Sequence, residues 1–503
     1  MDEDPRSDKE GDRQMKKKGR AGVVLLSVLA ISIPFGVAVQ KIVKWKAYVW
    51  LPSYAVWALS PKEKAQGPNK HVIFLWVDHY EPGLSDQADR VNDLWCDEFE
   101  KVAARHTDSY GNRFRYSWFY PYNHKREAVL RRLSAMAYDG FGEVELHWHH
   151  PPANNDTFPP MLEEAVQWYQ RYGALLGIGD TPRTQFGFIH GNWALDDSCE
   201  WISGGRPRRC GVTREMAFLS AKGCFADFTM PAFGTLAQPR KVNSIYYAKD
   251  TPEAKSYDTG VDAAVGVKQV DRFLMFEGPI GLSIEKMRFE YGAVESYALP
   301  SLERVESWIE TNIHVKGKPE WVFVKVHSHG VQSSEKILYG GGMDYLLDCM
   351  EEVCRKRGFR LHYVTAREAY NLVQAAEDDA RGDPEEYRDY VLPPPCNSVF
   401  RTTVPVRILA MSPGKICLES ETSLEAEFAF HHPDLLGVKG AAESLEYSAA
   451  QRLLRVWGRG PIEVMAVREL RVEGCACGFS LRGKPVCTVL YPLSMMDSEK
   501  KGG

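Results

Sequence analysis

Apolar positions along the chain fall into two alternating patterns. Short apolar or period-two runs predict strands at 71–78, 114–119, 143–149, 185–190, 224–229, 321–327 and 361–364. Between them, segments with apolar residues at helical spacing predict helices at 87–105, 125–137, 160–175, 212–222, 301–313, 343–357 and 365–376. Strand-then-helix order repeated this often points to a parallel α/β fold. The number of units predicts a closed or nearly closed β/α barrel, with a doubly wound sheet as the structural alternative. No glycine-rich phosphate loop follows the first strand, which counts against a nucleotide cofactor. Residues 230–300 break the rhythm and read as a long insertion.

The ends of the chain have a different pattern. Residues 1–20 are charged and are expected to be disordered. Residues 21–39, AGVVLLSVLAISIPFGVAV, form an uncharged apolar run long enough to cross a bilayer. Lys16, Lys17, Lys18 and Arg20 precede it. By the positive-inside rule this predicts an uncleaved single-pass anchor with a cytoplasmic N-terminus. The large domain would then lie on the extracytoplasmic side, periplasmic or luminal. Residues 40–69 read as a juxtamembrane linker whose Trp and Tyr residues suit the membrane interface. After the barrel, 377–395 is acidic and ends in Pro393, Pro394 and Pro395, a second linker. Residues 396–492 alternate in a strand-like way and predict a small β-rich C-terminal domain.

Composition narrows the function classes. A net charge of −5 gives no broad basic field, so nucleic acid is not a favoured partner. The eleven cysteines do not fall into metal-finger spacing and read as buried free thiols. The histidines carry more information. In a parallel α/β barrel, reactive groups come from the C-terminal ends of strands. There the sequence places Asp78 and His79, then His147, His149 and His150, then His190, Asp227, and finally His327 and His329. Pleating puts Glu145, His147 and His149 on one face of their strand and Val144, Leu146 and Trp148 on the other. Ionisable groups turned into an interior are costly unless they pair or bind a metal. Imidazoles and a carboxylate converging from different strands suit zinc or a similar divalent ion. A single strand-end histidine such as His190 is more often a hydrogen-bonded structural residue.

The order of these residues resembles the polysaccharide-deacetylase superfamily, the NodB-homology group of carbohydrate esterases, over residues 70–376. That family opens on an apolar strand ending Thr-Phe-Asp-Asp; here the residues are Trp76-Val77-Asp78-His79. Its pair of metal-binding histidines corresponds to the segment Glu145-Leu146-His147-Trp148-His149-His150, and its late catalytic histidine to Val324-Lys325-Val326-His327. The resemblance implies that Asp78 is the general base or itself a ligand. It implies that His79, His147 and His149 or His150 hold the metal, and that His327 protonates the leaving group. His190, Trp193 and Asp227 are then expected on the substrate side. The second Asp of the family motif is His79 here, the histidines stand closer together than in the family, and Met230-Pro231-Ala232-Phe233-Gly234 lacks the family's Arg. The expected activity is metal-dependent removal of acyl groups from an envelope or extracytoplasmic glycan. The competing readings are a glycan-binding protein that has lost the chemistry, and a glycoside hydrolase using two carboxylates such as Asp78 and Asp227.

Overall fold

His71–His79, strand β1, is buried along its whole length, as an apolar run flanked by strands on both sides must be. It belongs to a ten-stranded sheet in a computed structural model that describes residues 39–63, 70–170, 174–177, 183–198, 202–203, 206–207, 209–283, 288–395 and strand segments between 399 and 492. The elements used below are, in chain order, α1 (Leu51–Leu59), β1, α2 (Ala88–Arg105), β2 (Tyr116–Pro121), α3 (Glu127–Tyr138), β3 (Gly142–Trp148), α4 (Phe158–Gln170), β4 (Phe186–His190), α5 (Glu215–Ala221), β5 (Cys224–Asp227), β6 (Ile245–Ala248), β7 (Val261–Asp262), β8 (Phe273–Phe276), α6 (Leu302–Glu310), β9 (Trp321–Ser328), α7 (Gly342–Arg357), β10 (Arg360–Val364) and α8 (Ala366–Glu377).

The lateral order is β7-β6-β8-β5-β4-β3-β2-β1-β9. One edge of β1 is shared, with β10 pairing His71–Leu75 and β2 pairing Val77–His79. β6 runs against both its neighbours; the other pairings are parallel. The segment expected to be an insertion therefore supplies three strands of the sheet. Two of them have four residues and one has two, too few for a period to stand out.

The sheet is open, which corrects the expectation of a closed barrel. No ladder joins β8 to β9 among the described residues. β9 still approaches that side through its side chains, with the ring of Phe323 5.6 Å from Phe276 of β8 and Lys325 Nζ donating to Phe228 O, just after β5, at 2.6 Å. β8 already has β5 and β6 on its two edges, and the free edge of β9 is held at His327 by the segment 292–294. His327 N donates to Gly292 O at 3.0 Å, and Val294 N to His327 O at 2.8 Å.

Alternation along the strands gives two cores. Ile73, Leu75, Val77, Phe119, Ile189, Phe276 and Phe323 line the concave face, filled by Ala369, Leu372 and Val373 of α8. Val72, Phe74, Trp76, Leu146, Trp148 and Val324 face outward onto Trp95, Phe99, Leu130, Leu162 and Met350 of the surrounding helices. A capping box starts α8, with Thr365 accepting from Glu368 N and Glu368 accepting from Thr365 N. The helix is tied to the base of β3 by the buried pair Arg367–Glu143 at 2.8 Å. The acidic stretch beyond α8 stays docked, as Arg388 Nη2 meets Asp108 Oδ2 at 2.8 Å. Beyond Val399 a separate six-stranded sheet is antiparallel throughout.

The single-pass anchor and the extracytoplasmic placement are also corrected. Among the described residues no helix is long and apolar enough to cross a membrane. The charged tail and the run at 21–39, apart from Val39, lie outside the described residues. The aromatic segment that follows packs on protein, with Trp50 against Phe233 at 5.2 Å and Phe289 at 5.4 Å.

Candidate metal centre at the strand ends

Three electron-pair donors meet at the C-terminal pole of the concave face. β3 delivers His147 and, two residues on, His149; the turn after β1 delivers Glu81. Glu81 Oε1 lies 3.0 Å from His147 Nε2 and 2.6 Å from His149 Nε2, and the two nitrogens are 3.1 Å apart. His147 is fully buried; Glu81 and His149 keep some access to solvent, at 16% and 31% side-chain exposure.

The far sides of the rings fix what the near sides offer. His147 Nδ1 faces the carbonyl of Ile189 at 3.0 Å, and His149 Nδ1 faces Asn192 Oδ1 at 3.1 Å. Each neutral imidazole has one proton, and an acceptor on Nδ1 claims it. That leaves a bare Nε2 on both rings, aimed at a carboxylate. Either one ring is protonated or a cation sits among the three. Burial pulls His147 below the ordinary imidazole range, so the proton does not settle there. Burial also pulls on His149, but its bond to Glu81 outweighs burial and raises its pKa. Burial pushes Glu81 up, and the two imidazoles more than offset this, holding it well below the usual carboxylate range. Tetrahedral zinc with bonds of ~2.0–2.1 Å spaces its ligand atoms about 3.3 Å apart, close to the separations seen here.

Other strand-end residues surround this triad. His79 stacks on His329 at 4.6 Å, and its ring is 4.8 Å from that of His147. Burial, then its neighbouring histidines, holds His79 well below its ordinary pKa. His329 Nδ1 and its backbone N–H both bond Glu295 Oε1, each at 2.8 Å. Burial lowers its pKa and the Glu295 bond more than compensates, so His329 is raised. His327 is half-buried beside Tyr291, with ring centroids 6.0 Å apart. Its Nδ1 has no hydrogen-bond partner among the described residues.

The structure places Asp78 differently from its neighbour. Its carboxylate lies on the outward side of β1, where Oδ1 accepts from Ser328 Oγ at 2.5 Å and Gly330 N at 2.6 Å. Those two donors bracket His329, so Asp78 holds the turn that presents this imidazole. Burial pushes Asp78 up to about 7. Asp227 sits deeper, accepting from Thr229 N at 3.0 Å and Thr229 Oγ1 at 2.7 Å. Trp193 occupies the turn after β4 in a left-handed conformation, φ 54°, half-buried against the outer core. His150 and His190 turn to the outward face and meet each other, Nε2 to Nε2, at 3.2 Å.

Glu81 and Glu295 had no place in the strand-end reading. For Glu81 a signal existed: it follows His79 by two residues, as His149 follows His147. Glu295 comes from the irregular edge segment beside β9 and carried none. No family model matches the chain, and no curated protein matches it.

Proposed function

We propose that Glu81, His147 and His149 hold a divalent metal, zinc or a similar ion, and that the protein is a metal-dependent hydrolase removing acyl groups from a glycan. The observation that carries the metal is the convergence of two bare imidazole nitrogens on a carboxylate within 2.6–3.1 Å. The acyl-glycan substrate rests on the resemblance to the polysaccharide deacetylases. Such an ion supplies Lewis acidity toward a carbonyl and makes water a nucleophile near neutral pH.

The chain's own groups supply the rest. The resemblance gives the leaving-group proton to His327. The geometry favours His329, because Glu295 fixes its tautomer and keeps it protonated to higher pH, as a general acid requires. Asp78 orients the turn behind it. Neutral His79 fills the gap between His329 and the triad and excludes bulk water from the proton's path.

The outward position of the Asp78 carboxylate favours a second reading, a glycan-binding protein without turnover. Zinc analysis of the purified full chain, with acetate release from N- and O-acetylated oligosaccharides, separates the two. Bound zinc with acetate release supports the hydrolase. Bound zinc and glycan without release supports the binding protein. His329→Ala is expected to keep the zinc and lose ~10²–10⁴-fold in turnover, and the same result for His327→Ala alone would return the acid to that residue.

A further inference from the structure

His149 and His150 are adjacent, and the pleat sends them to opposite faces of the sheet. His149 joins the triad; His150 joins a different set of donors on the helix-covered side. Its partners are His190 at the end of β4, Cys210 in the loop before α5, and Glu215, the first residue of α5. One ligand-type atom from each of the four lies within 4.8 Å of all the others. All four residues are buried, none more than 3% exposed.

We propose that these four side chains form a second, structural metal centre that takes a thiophilic divalent cation such as zinc. This inference stands independently of the hydrolase reading. A Cys-His-His-carboxylate set drawn from three chain segments is a donor combination suited to tetrahedral zinc. The protein partners alone leave it incomplete. Glu215 Oε2 accepts from Asp196 N at 2.8 Å and lies 3.6 Å from Cys210 Sγ. Glu215 Oε1 is wholly buried and accepts no hydrogen bond among the described residues, although His150 Nε2 is 3.3 Å away and His190 Nε2 3.7 Å away. No ring N–H is thus aimed at this oxygen, as expected when the carboxylate and the imidazoles face a third centre.

His150 is set for ligation, since its Nδ1 faces Pro151 O at 2.8 Å and leaves Nε2 bare. His190 Nδ1 accepts from Asn192 N at 3.2 Å and Ala194 N at 3.3 Å, which puts its proton on Nε2, toward His150. Coordination replaces that bridging proton with the ion. The ring proton then sits on Nδ1, and the two long bonds there give way. The Cys210 thiol releases its proton on binding. The sulfur keeps a donor, Asp197 N at 3.3 Å, while its contact to the acceptor Val212 O at 3.8 Å is given up with the proton.

The consequence is mechanical. The ion ties the ends of β3 and β4 to α5. It therefore fixes two parts of the first centre at once: His149, next to His150, and Asn192, which follows His190 by two residues and holds His149 Nδ1.

The test loads the full-length protein with cobalt(II) alone and reads the near-ultraviolet thiolate-to-cobalt charge-transfer band. The band is expected in the wild type, is lost in Cys210→Ser, and remains in His147→Ala. Zinc stoichiometry is expected to fall by one equivalent in each variant. No band in the wild type, or an undiminished band in Cys210→Ser, overturns the second centre. Should Cys210→Ser fail to fold, zinc X-ray absorption on the wild type decides. A sulfur neighbour supports the proposal and a shell of nitrogen and oxygen alone overturns it. Loss of one zinc equivalent in His147→Ala with the band intact reports on the first centre, so the two readings fail separately.

Discussion

Glu81→Gln separates a metal triad from an ion-paired cluster of imidazoles. The substitution keeps shape and removes the charge. Without metal it costs little: the new amide donates to the bare Nε2 of His149, 2.6 Å from Oε1 in the wild type, replacing one hydrogen bond by another worth ~0.5–1.5 kcal/mol. With metal the difference is large. An ion present at a hundred times its dissociation constant stabilises the fold by ~2.7 kcal/mol. Loss of even an outer partner of a ligand weakens binding ~10–100-fold, and loss of the carboxylate itself is set at the upper end. At the same zinc concentration about 0.4 kcal/mol then remains. The difference is roughly 2.3 kcal/mol, or about 5 °C at the roughly 2 °C per kcal/mol of a large domain. Thermal melts of both proteins with zinc and with chelator measure this increment. A second ion at His150, His190, Cys210 and Glu215 adds equally to both and cancels. Equal zinc-dependent shifts in wild type and Glu81→Gln, or no shift in the wild type, would refute the triad as a metal site.

Three further predictions test the surroundings. Asn192→Ala removes the acceptor on His149 Nδ1 and is expected to weaken zinc at the first centre ~10–100-fold by competition with a fluorescent chelator; unchanged affinity would show that the His149 tautomer is set elsewhere. Arg367→Met leaves Glu143 buried and uncompensated and is expected to cost ~3–5 kcal/mol in urea unfolding, with Glu143→Gln in the same chain recovering most of it; a loss under ~1 kcal/mol would show that the buried pair is already solvated. Burial pushes Glu277 up to about 8, more than its bond from Gln238 lowers it. The folded state then holds this proton, so its contribution is full below the unfolded carboxyl range and is lost as pH rises through about 8. Glu277→Gln should flatten the fall in stability between pH 5 and 9, and an identical slope in both proteins would remove Glu277 as its source.

Much of the fold was legible because burial imposes a period. β1, β3 and β9 are sandwiched between two cores, and alternation along β3 separates His147 from Trp148 in the sequence alone. Closure was not legible. Closure depends on what lies along the edges of β8 and β9; β6 covers one, and the segment 292–294 that holds the other has no periodic pattern. β6, β7 and β8 are shorter than any period the sequence can show. The apolar run at 21–39 read as a bilayer span on composition alone, and no described helix carries that reading.

The candidate site divides along the same line. Strand pleating requires that His147 and His149 share a face and that His150 leave it, so one strand end must serve both sides of the sheet. The concave side collects donors from the end of β3 and the turn after β1, and the outward side adds to His150 and His190 donors from a loop and a helix start. Donors on strands announce themselves by alternation. Cys210 and Glu215 do not, because a loop and the first turn of a helix have no face until the chain has folded around them. The same geometry explains why the two clusters belong together. A triad on a strand end is only as rigid as the residue beyond it, and here that residue is His150, held on the far side by α5. Fixing His150 fixes the backbone of His149, which in turn sets the 3.1 Å approach of the two Nε2 atoms on which the first centre depends.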